Sequence, residues 1–199
     1  MRTTPRMLLV TLLVTQLVAA CAGSSGTGPQ PSPPSPVPTS SPSAGPSSAL
    51  HSSPEPWRTA ALTDVRSGAA LHLADLSGKV LFVEGVATWC PPCLEQQAEA
   101  QTALAHLDPT RVTWISLDID PSEEVPTLLR YANGHGFPWT FAIASPELLR
   151  FLADRFGDRV LLPPETPVVV VAPDGTATLT EHGIKRADRL LELAHQSGG

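Results

Sequence analysis

The feature that most constrains this chain is the segment Trp89-Cys90-Pro91-Pro92-Cys93, which lies between an apolar run and a helical pattern. The run, residues 80–87, is almost continuously apolar, which is typical of a strand buried on both faces of an α/β sheet. After the cysteines, residues 94–107 follow helical spacing and place Cys93 on the apolar face. Two cysteines three residues apart at the start of a helix can form and release a disulfide, so the segment predicts redox chemistry.

The cysteine count argues against a metal site. Of the three cysteines, Cys21 belongs to an N-terminal leader, so the rest of the chain holds a single C-x-x-C. Zinc needs four ligands, usually from a second C-x-x-C or a histidine pair at metal spacing, and the histidines here show no such grouping. We therefore predict no metal and no cofactor other than the redox-active disulfide of Cys90 and Cys93.

The first 20 residues predict a lipoprotein signal peptide. Two arginines precede the apolar run 7–18, which is too short for a comfortable membrane span. Val18-Ala19-Ala20-Cys21 resembles the bacterial lipobox, with Val18 in place of the usual leucine. The resemblance implies that Cys21 becomes the lipid-modified N-terminus. The protein is then extracytoplasmic and anchored to the bacterial cell membrane, where cysteine pairs can persist oxidised.

Residues 21–56 predict a disordered tether. Residues 22–56 hold ten of the chain's 22 prolines, mixed with serine and glycine, and carry no charged residue before Glu55. Such a composition buries too little apolar surface to offset the entropy of ordering. In polyproline form it extends about 3 Å per residue, or roughly 100 Å in all. Residues 57–199 remain as one domain, and the formal net charge of -6 gives no sign of nucleic-acid binding.

The pattern of this domain predicts a βαβ half, a helical passage and a ββα half. Short strands are expected before the apolar run, and a hairpin is expected near the C-terminus, where Pro173-Asp174-Gly175 makes the turn. Besides the elements around the cysteines, the predicted strands are 57–62, 70–73, 111–119, 137–144, 167–172 and 176–182. The other predicted helices cover 125–132, 148–156 and 187–194.

This order resembles the thioredoxin fold, with W-C-P-P-C after the first long strand and Glu165-Thr166-Pro167 before the last hairpin. It resembles more closely the membrane-anchored extracytoplasmic thiol-disulfide reductases of cytochrome c maturation, a group that residues 76–80 and 136–139 also resemble. The resemblance spans residues 57–197. It implies an α/β, thioredoxin-like three-layer fold with a central mixed sheet, extra N-terminal strands and a strand-helix insertion between the two halves.

The resemblance also implies unequal roles for the two cysteines. Free amide groups at a helix N-terminus stabilise a thiolate, so Cys90, expected to be exposed, attacks a substrate disulfide. Cys93, expected to be buried, then attacks Cys90 and releases the reduced substrate. Pro91 and Pro92 begin the helix and stiffen the substrate-binding loop.

Four further residues are expected to serve the site. Glu84 stands where thioredoxins resembling this chain carry a buried acid, and we expect it to take the proton of Cys93. Thr166-Pro167 matches the family's cis-proline loop, which offers backbone groups to a substrate chain. Trp89 is expected to shield the cysteines and supply an apolar contact. Gly85-Val86 departs from the aromatic pair of thioredoxins, which predicts looser packing beside the site.

The leading hypothesis is an exported reductant of protein disulfides, with apocytochrome c among the candidate substrates. The same fold and cysteines also allow the reverse reaction, disulfide formation. A peroxiredoxin-like peroxidase and a copper-binding chaperone stay open as further alternatives. The expected partners are protein thiols or disulfides, the membrane through the N-terminal lipid, and a membrane electron donor, with the protein itself a monomer.

Overall fold

The computed structural model describes residues 55–199. The predicted signal peptide, Cys21 and nearly all of the predicted tether lie outside the described residues. The strands are β1 Leu62–Thr63, β2 Ala70–Leu71, β3 Val80–Val86, β4 Val112–Asp118, β5 Thr140–Ile143, β6 Val168–Val171 and β7 Ala177–Leu179. The α-helices are α1 Pro56–Thr59, α2 Pro91–Leu104, α3 Val125–Gly134, α4 Pro146–Phe156 and α5 Ala187–Gln196, and short 3₁₀ helices cover Leu73–Leu76, Asp158–Leu161 and Pro163–Glu165.

Five strands form one mixed sheet in the order β5-β4-β3-β6-β7. The neighbours β3, β4 and β5 run parallel, whereas β6 is antiparallel to β3 and β7 is antiparallel to β6. Every residue of β3 is buried, as its apolar sequence predicts for a central strand. The predicted α/β fold with a central mixed sheet is confirmed.

Helices cover both faces of this sheet, so the domain has three layers. On one face, Leu81 and Val83 of β3 pack in a core with α1 and α4. On the other face, Val80 and Phe82 pack in a core with α2, α3 and α5. The alternation of β3 side chains between two cores follows from the twofold period of a strand.

The predicted additions to the basic fold are present. A separate antiparallel pair, β1 and β2, precedes β3. Between the β3-α2-β4 half and the β6-β7-α5 half, the chain adds β5 to the edge of the sheet, with α3 before it and α4 after it. The Ser145 hydroxyl accepts a hydrogen bond from Leu148 N at the start of α4, at 3.1 Å, which is the N-cap typical of serine.

The predicted strand over residues 57–62 is wrong. Pro56 begins the short helix α1 instead, and Trp57 is buried with its ring edge-on to Phe156, at 5.3 Å between ring centroids. Proline favours the first turn of a helix, and the burial of Trp57 against α4 is a tertiary contact that the local pattern does not contain.

Among residues 55–199, no helix is long and apolar enough to cross a lipid bilayer.

Candidate active site

The cysteine pair sits where the central strand gives way to the helix. Cys90 is the N-cap residue of α2, and its sulfur accepts a hydrogen bond from the Cys93 amide at 3.3 Å. The two cysteines form a disulfide with 5.4 Å between their Cα atoms, within the usual range for such bridges. Pro91 and Pro92 occupy the first helical turn, where their missing amides leave no helix hydrogen bond unmade.

Both cysteines are buried in this oxidised state. Cys90 is 2% exposed and Cys93 is 0% exposed, so the expectation of an exposed Cys90 is wrong. The pair packs against Val86 and Ala87 at the end of β3, and the Cys93 sulfur lies 3.2 Å from the Pro163 carbonyl oxygen. Pro163 follows Cys93 by 70 residues in the chain, so the sequence pattern around the start of α2 could not predict this contact.

Trp89 is the exposed aromatic side chain beside the cysteines. It is 60% exposed, and its indole Nε1 donates a hydrogen bond to the Asp120 carboxylate at 2.7 Å. The preceding Thr88 donates a hydrogen bond to Glu123. The loop after β4 therefore holds residues 88–89 in place, and the exposed indole face can supply the expected apolar contact for a partner.

Glu84 is fully buried in the middle of the sheet. It lies opposite Ser116 of β4 and Val168 of β6 in the strand register. Its Oε2 accepts three hydrogen bonds, from Ser116 Oγ at 2.9 Å, Trp114 Nε1 at 3.1 Å and Gln97 Nε2 at 3.2 Å. Its Oε1 has no partner among the described residues. Burial raises the pKa of Glu84 to about 7, against the opposing effect of these hydrogen bonds.

The peptide bond between Thr166 and Pro167 is trans, because no cis peptide bond occurs in residues 55–199. The cis-proline expected from the family resemblance is therefore contradicted. Instead, Thr166 takes a left-handed conformation with φ of +47°, the one positive φ at a residue other than glycine in this part of the chain. The unusual backbone conformation in this loop therefore lies at Thr166 and not in the peptide bond before Pro167. The Pro167 carbonyl accepts a hydrogen bond from Gly85 N at 3.0 Å.

The expectation of loose packing at Gly85-Val86 is also wrong. A Cβ on Gly85 would stand 3.0 Å from the Ile119 side chain, 3.0 Å from the Val160 carbonyl oxygen and 3.2 Å from Pro167. Such distances are shorter than ordinary carbon contacts. Position 85 therefore favours a residue without a side chain, because the loop with Pro167 approaches the β3 backbone closely.

Sequence reasoning missed the polar residues that surround Glu84. Gln97, Trp114 and Ser116 donate to it, and Tyr131 donates to Gln97 Oε1 at 2.6 Å. One signal was available for Gln97, since it follows Cys93 by four residues and so lies on the same inward face of α2. Lys185 was also missed, and it is 1% exposed with its ammonium group beside Thr166.

A second buried acid lies at the end of β4. Asp118 pairs with Val86 in the register, and its Oδ1 accepts a hydrogen bond from Asp120 N at 2.9 Å. Burial raises the pKa of Asp118 to about 7, with smaller contributions from the nearby Glu123 and Asp120 carboxylates.

Within the described part of the chain, no group of three or more histidine, cysteine, aspartate or glutamate side chains is arranged to hold a metal ion.

The chain is similar in sequence to a known protein, although it matches no family model. No family model matches the chain. The thiol-disulfide oxidoreductase ResA of Bacillus subtilis (strain 168) is 25% identical over 132 residues, which cover 66% of this chain and 72% of that protein.

Solved structures extend this likeness to three dimensions. A thiol:disulfide interchange protein of the thioredoxin family from Chlorobium tepidum TLS has a TM-score of 0.57 at 21% identity, covering 74% of this chain and 98% of that one. A secreted Mycobacterium tuberculosis disulfide oxidoreductase homologous to E. coli DsbE has a TM-score of 0.52 at 21% identity, covering 70% of this chain and 97% of that one. The domain has the thioredoxin-like fold.

Proposed function

We propose that this protein of thioredoxin-like fold is a thiol-disulfide oxidoreductase whose Cys90-Cys93 pair reduces disulfides in other proteins. The observation that carries the proposal is the disulfide at the N-terminus of α2, directly after the central strand. The names of the similar proteins, a thiol-disulfide oxidoreductase and a thiol:disulfide interchange protein, support the same chemistry.

The reaction balances as a two-electron exchange. The reduced Cys90 thiolate attacks a substrate disulfide, which forms a mixed disulfide and releases one substrate thiolate that takes up a proton. Cys93 then gives its proton to a base and attacks Cys90, so the Cys90-Cys93 disulfide forms and the second substrate thiol leaves. Both electrons pass from the dithiol to the substrate, and a thiol donor must restore the dithiol.

Glu84 is the base that we assign to the second step. It lies beneath the start of α2, since Gln97, one helical turn after Cys93, donates to it. Its pKa of about 7 allows it to gain and lose a proton near neutral pH. Oε2 already accepts three hydrogen bonds, which leaves Oε1 as the oxygen that can take a proton.

Substrate contacts are assigned to Trp89, to Pro91 and Pro92, and to the backbone of Thr166-Pro167.

We further propose that the protein works outside the cytoplasm as a monomer, anchored by a lipid on Cys21 and supplied with electrons by a membrane donor. The lipobox-like residues 18–21 support the anchor. One of the similar proteins is described as secreted, which supports the compartment. Reduction of apocytochrome c is the specific role that the family resemblance suggests.

The function is tested by trapping a substrate and by measuring the reduction potential. Cys93→Ser lacks the resolving thiol and is expected to accumulate a mixed disulfide through Cys90, which can be isolated with its partner. The matched control, Cys90→Ser, is expected to trap nothing. Glutathione equilibration of the wild type is expected to give a potential below about -150 mV, as suits a reductant.

Two outcomes would contradict this proposal in different ways. Trapping through Cys93 but not Cys90 would reverse the assigned roles. A potential above the stated limit would leave the exchange chemistry intact but make the protein an oxidant of thiols.

A further inference from the structure

Lys185 is a buried lysine in the loop between β7 and α5. Its side chain is almost fully excluded from water, and its ammonium group donates to three oxygens: the Thr166 carbonyl, the Gly183 carbonyl at 2.7 Å and the Thr166 hydroxyl at 3.4 Å. An ammonium group has three donors, so these contacts use all of them. A buried charge is costly unless it is partnered in this way.

The backbone of Lys185 is fixed to α2. Gln96 accepts a hydrogen bond from Lys185 N at 2.7 Å and donates one to Lys185 O at 3.0 Å. Gln96 follows Cys93 by three residues and is itself fully buried. Lys185 therefore joins the helix that carries the cysteines to the loop that precedes β6.

That loop has a conformation that needs support. Thr166 has a positive φ, a region that β-branched residues strongly disfavour. Its amide donates to the Pro163 carbonyl at 2.8 Å, and Lys185 binds its carbonyl and its hydroxyl. The same loop brings the Pro163 carbonyl to the Cys93 sulfur and the Pro167 carbonyl to Gly85.

Lys185 keeps its charge although it is buried. The Glu84 and Glu181 carboxylates raise its pKa, whereas Arg159 in the 3₁₀ helix after α4 lowers it. The Lys185 cation lowers the pKa of Glu84, in opposition to burial. Burial lowers the pKa of Lys185 itself to about 8, so the lysine still carries its charge at neutral pH.

We propose that Lys185 is a positioning residue for disulfide exchange, which holds the Thr166-Pro167 backbone in place for the substrate chain. This inference rests on the proposed function, since it concerns the substrate loop of that same site. It assigns a role in the reaction to a residue far from the cysteines in sequence.

The test uses the full chain with two substrates. Insulin requires a docked polypeptide, whereas 5,5'-dithiobis(2-nitrobenzoate), added at one equivalent to the reduced protein, releases one thionitrobenzoate on attack by Cys90 and a second when Cys93 resolves. Lys185→Met is expected to raise the KM for insulin about tenfold, with a smaller change in kcat. Both releases of thionitrobenzoate are expected to be unchanged, because a small disulfide needs no docked chain.

Two further variants complete the test. Lys185→Gln keeps a donor for the Thr166 carbonyl, so the KM for insulin is expected to rise less than in Lys185→Met; it also carries the test if Lys185→Met does not fold. Lys79→Met is the matched control, since Lys79 is the only other lysine in the chain and immediately precedes β3. It is expected to match the wild type.

An unchanged insulin KM in folded Lys185→Met, or in folded Lys185→Gln if Lys185→Met does not fold, would overturn the proposal. A wild-type protein that neither reduces insulin nor gives the second release would instead refute the proposed function, and this inference with it.

Discussion

Glu84 shows which of two opposing effects controls a buried acid. Three donors converge on its Oε2, and hydrogen bonds of this kind favour the ionised carboxylate. The pKa nevertheless rises from 4.5 to about 7, so the loss of solvation on full burial outweighs the three hydrogen bonds and the more distant Lys185. Burial thus places the pKa of this carboxyl group near neutral pH.

The same shift predicts how stability depends on pH. The unfolded chain releases this proton near pH 4.5, whereas the folded protein keeps it until about pH 7. The contribution of Glu84 to stability is therefore fully present below pH 4.5 and is lost as pH rises through 7, with a total change of roughly 3 kcal/mol. Glu84→Gln does not titrate, so its free energy of unfolding is expected to fall less between pH 4.5 and pH 8.

Urea denaturation of the oxidised protein at these two pH values measures the difference. Asp118, whose pKa is also raised, contributes in the same direction to both proteins and cancels from the comparison. Glu95→Gln, on the exposed side of α2, is the matched control and is expected to follow the wild type. An equal fall in stability for Glu84→Gln and the wild type would show that folding does not raise the pKa of Glu84.

At the scale of elements, the site depends on the close approach of the loop before β6 to the end of β3. Gly85→Ala places a Cβ about 3 Å from the Val160 carbonyl oxygen and near Pro167. Because backbone on one side and a proline ring on the other cannot both move freely, we expect a loss of about 1–3 kcal/mol in the free energy of unfolding. The insulin KM is expected to rise as the loop is displaced.

Gly134→Ala is a suitable control for this substitution. Gly134 ends α3, has an ordinary backbone conformation, and has open space where a Cβ would be added. Its replacement is expected to leave stability unchanged or slightly raised, because alanine restricts the unfolded chain. Gly85→Ala with wild-type stability and KM would show that the loop adapts to the added methyl group.

The elements that could be predicted from sequence are those that local patterns determine. The apolar run of β3, the helix after the cysteines and the hairpin of β6 and β7 each have a period or a turn signal of their own. The contact of the Pro163 carbonyl with Cys93, the trans peptide before Pro167 and the close approach at Gly85 all belong to one loop that meets β3 and α2 from a distant part of the chain. No spacing within residues 80–93 contains that information.

At the scale of the whole molecule, the sheet collects residues that are far apart in sequence. The C-terminal end of β3, just before the cysteines, pairs with the N-terminal end of β6, just after Pro167. The Pro163 carbonyl of the same loop lies 3.2 Å from the Cys93 sulfur. Lys185 reaches the same place from the loop after β7. The groups that we assign to the reaction therefore all lie within residues 55–199.

Because the proposed lipid site and the proposed reaction groups lie in different parts of the chain, a mutation is expected to remove membrane anchoring without affecting catalysis. If Cys21 carries the lipid, Cys21→Ser in the full chain is expected to move the protein from the membrane to the soluble extracytoplasmic fraction of a bacterial host. Its thionitrobenzoate release is expected to equal that of the wild type, since the lipid serves only to hold the domain near the membrane. Cys93→Ser is the matched control, because it removes a cysteine without touching residues 18–21 and is expected to stay with the membrane. A Cys21→Ser protein that remains membrane-bound would show that another part of the chain makes the attachment.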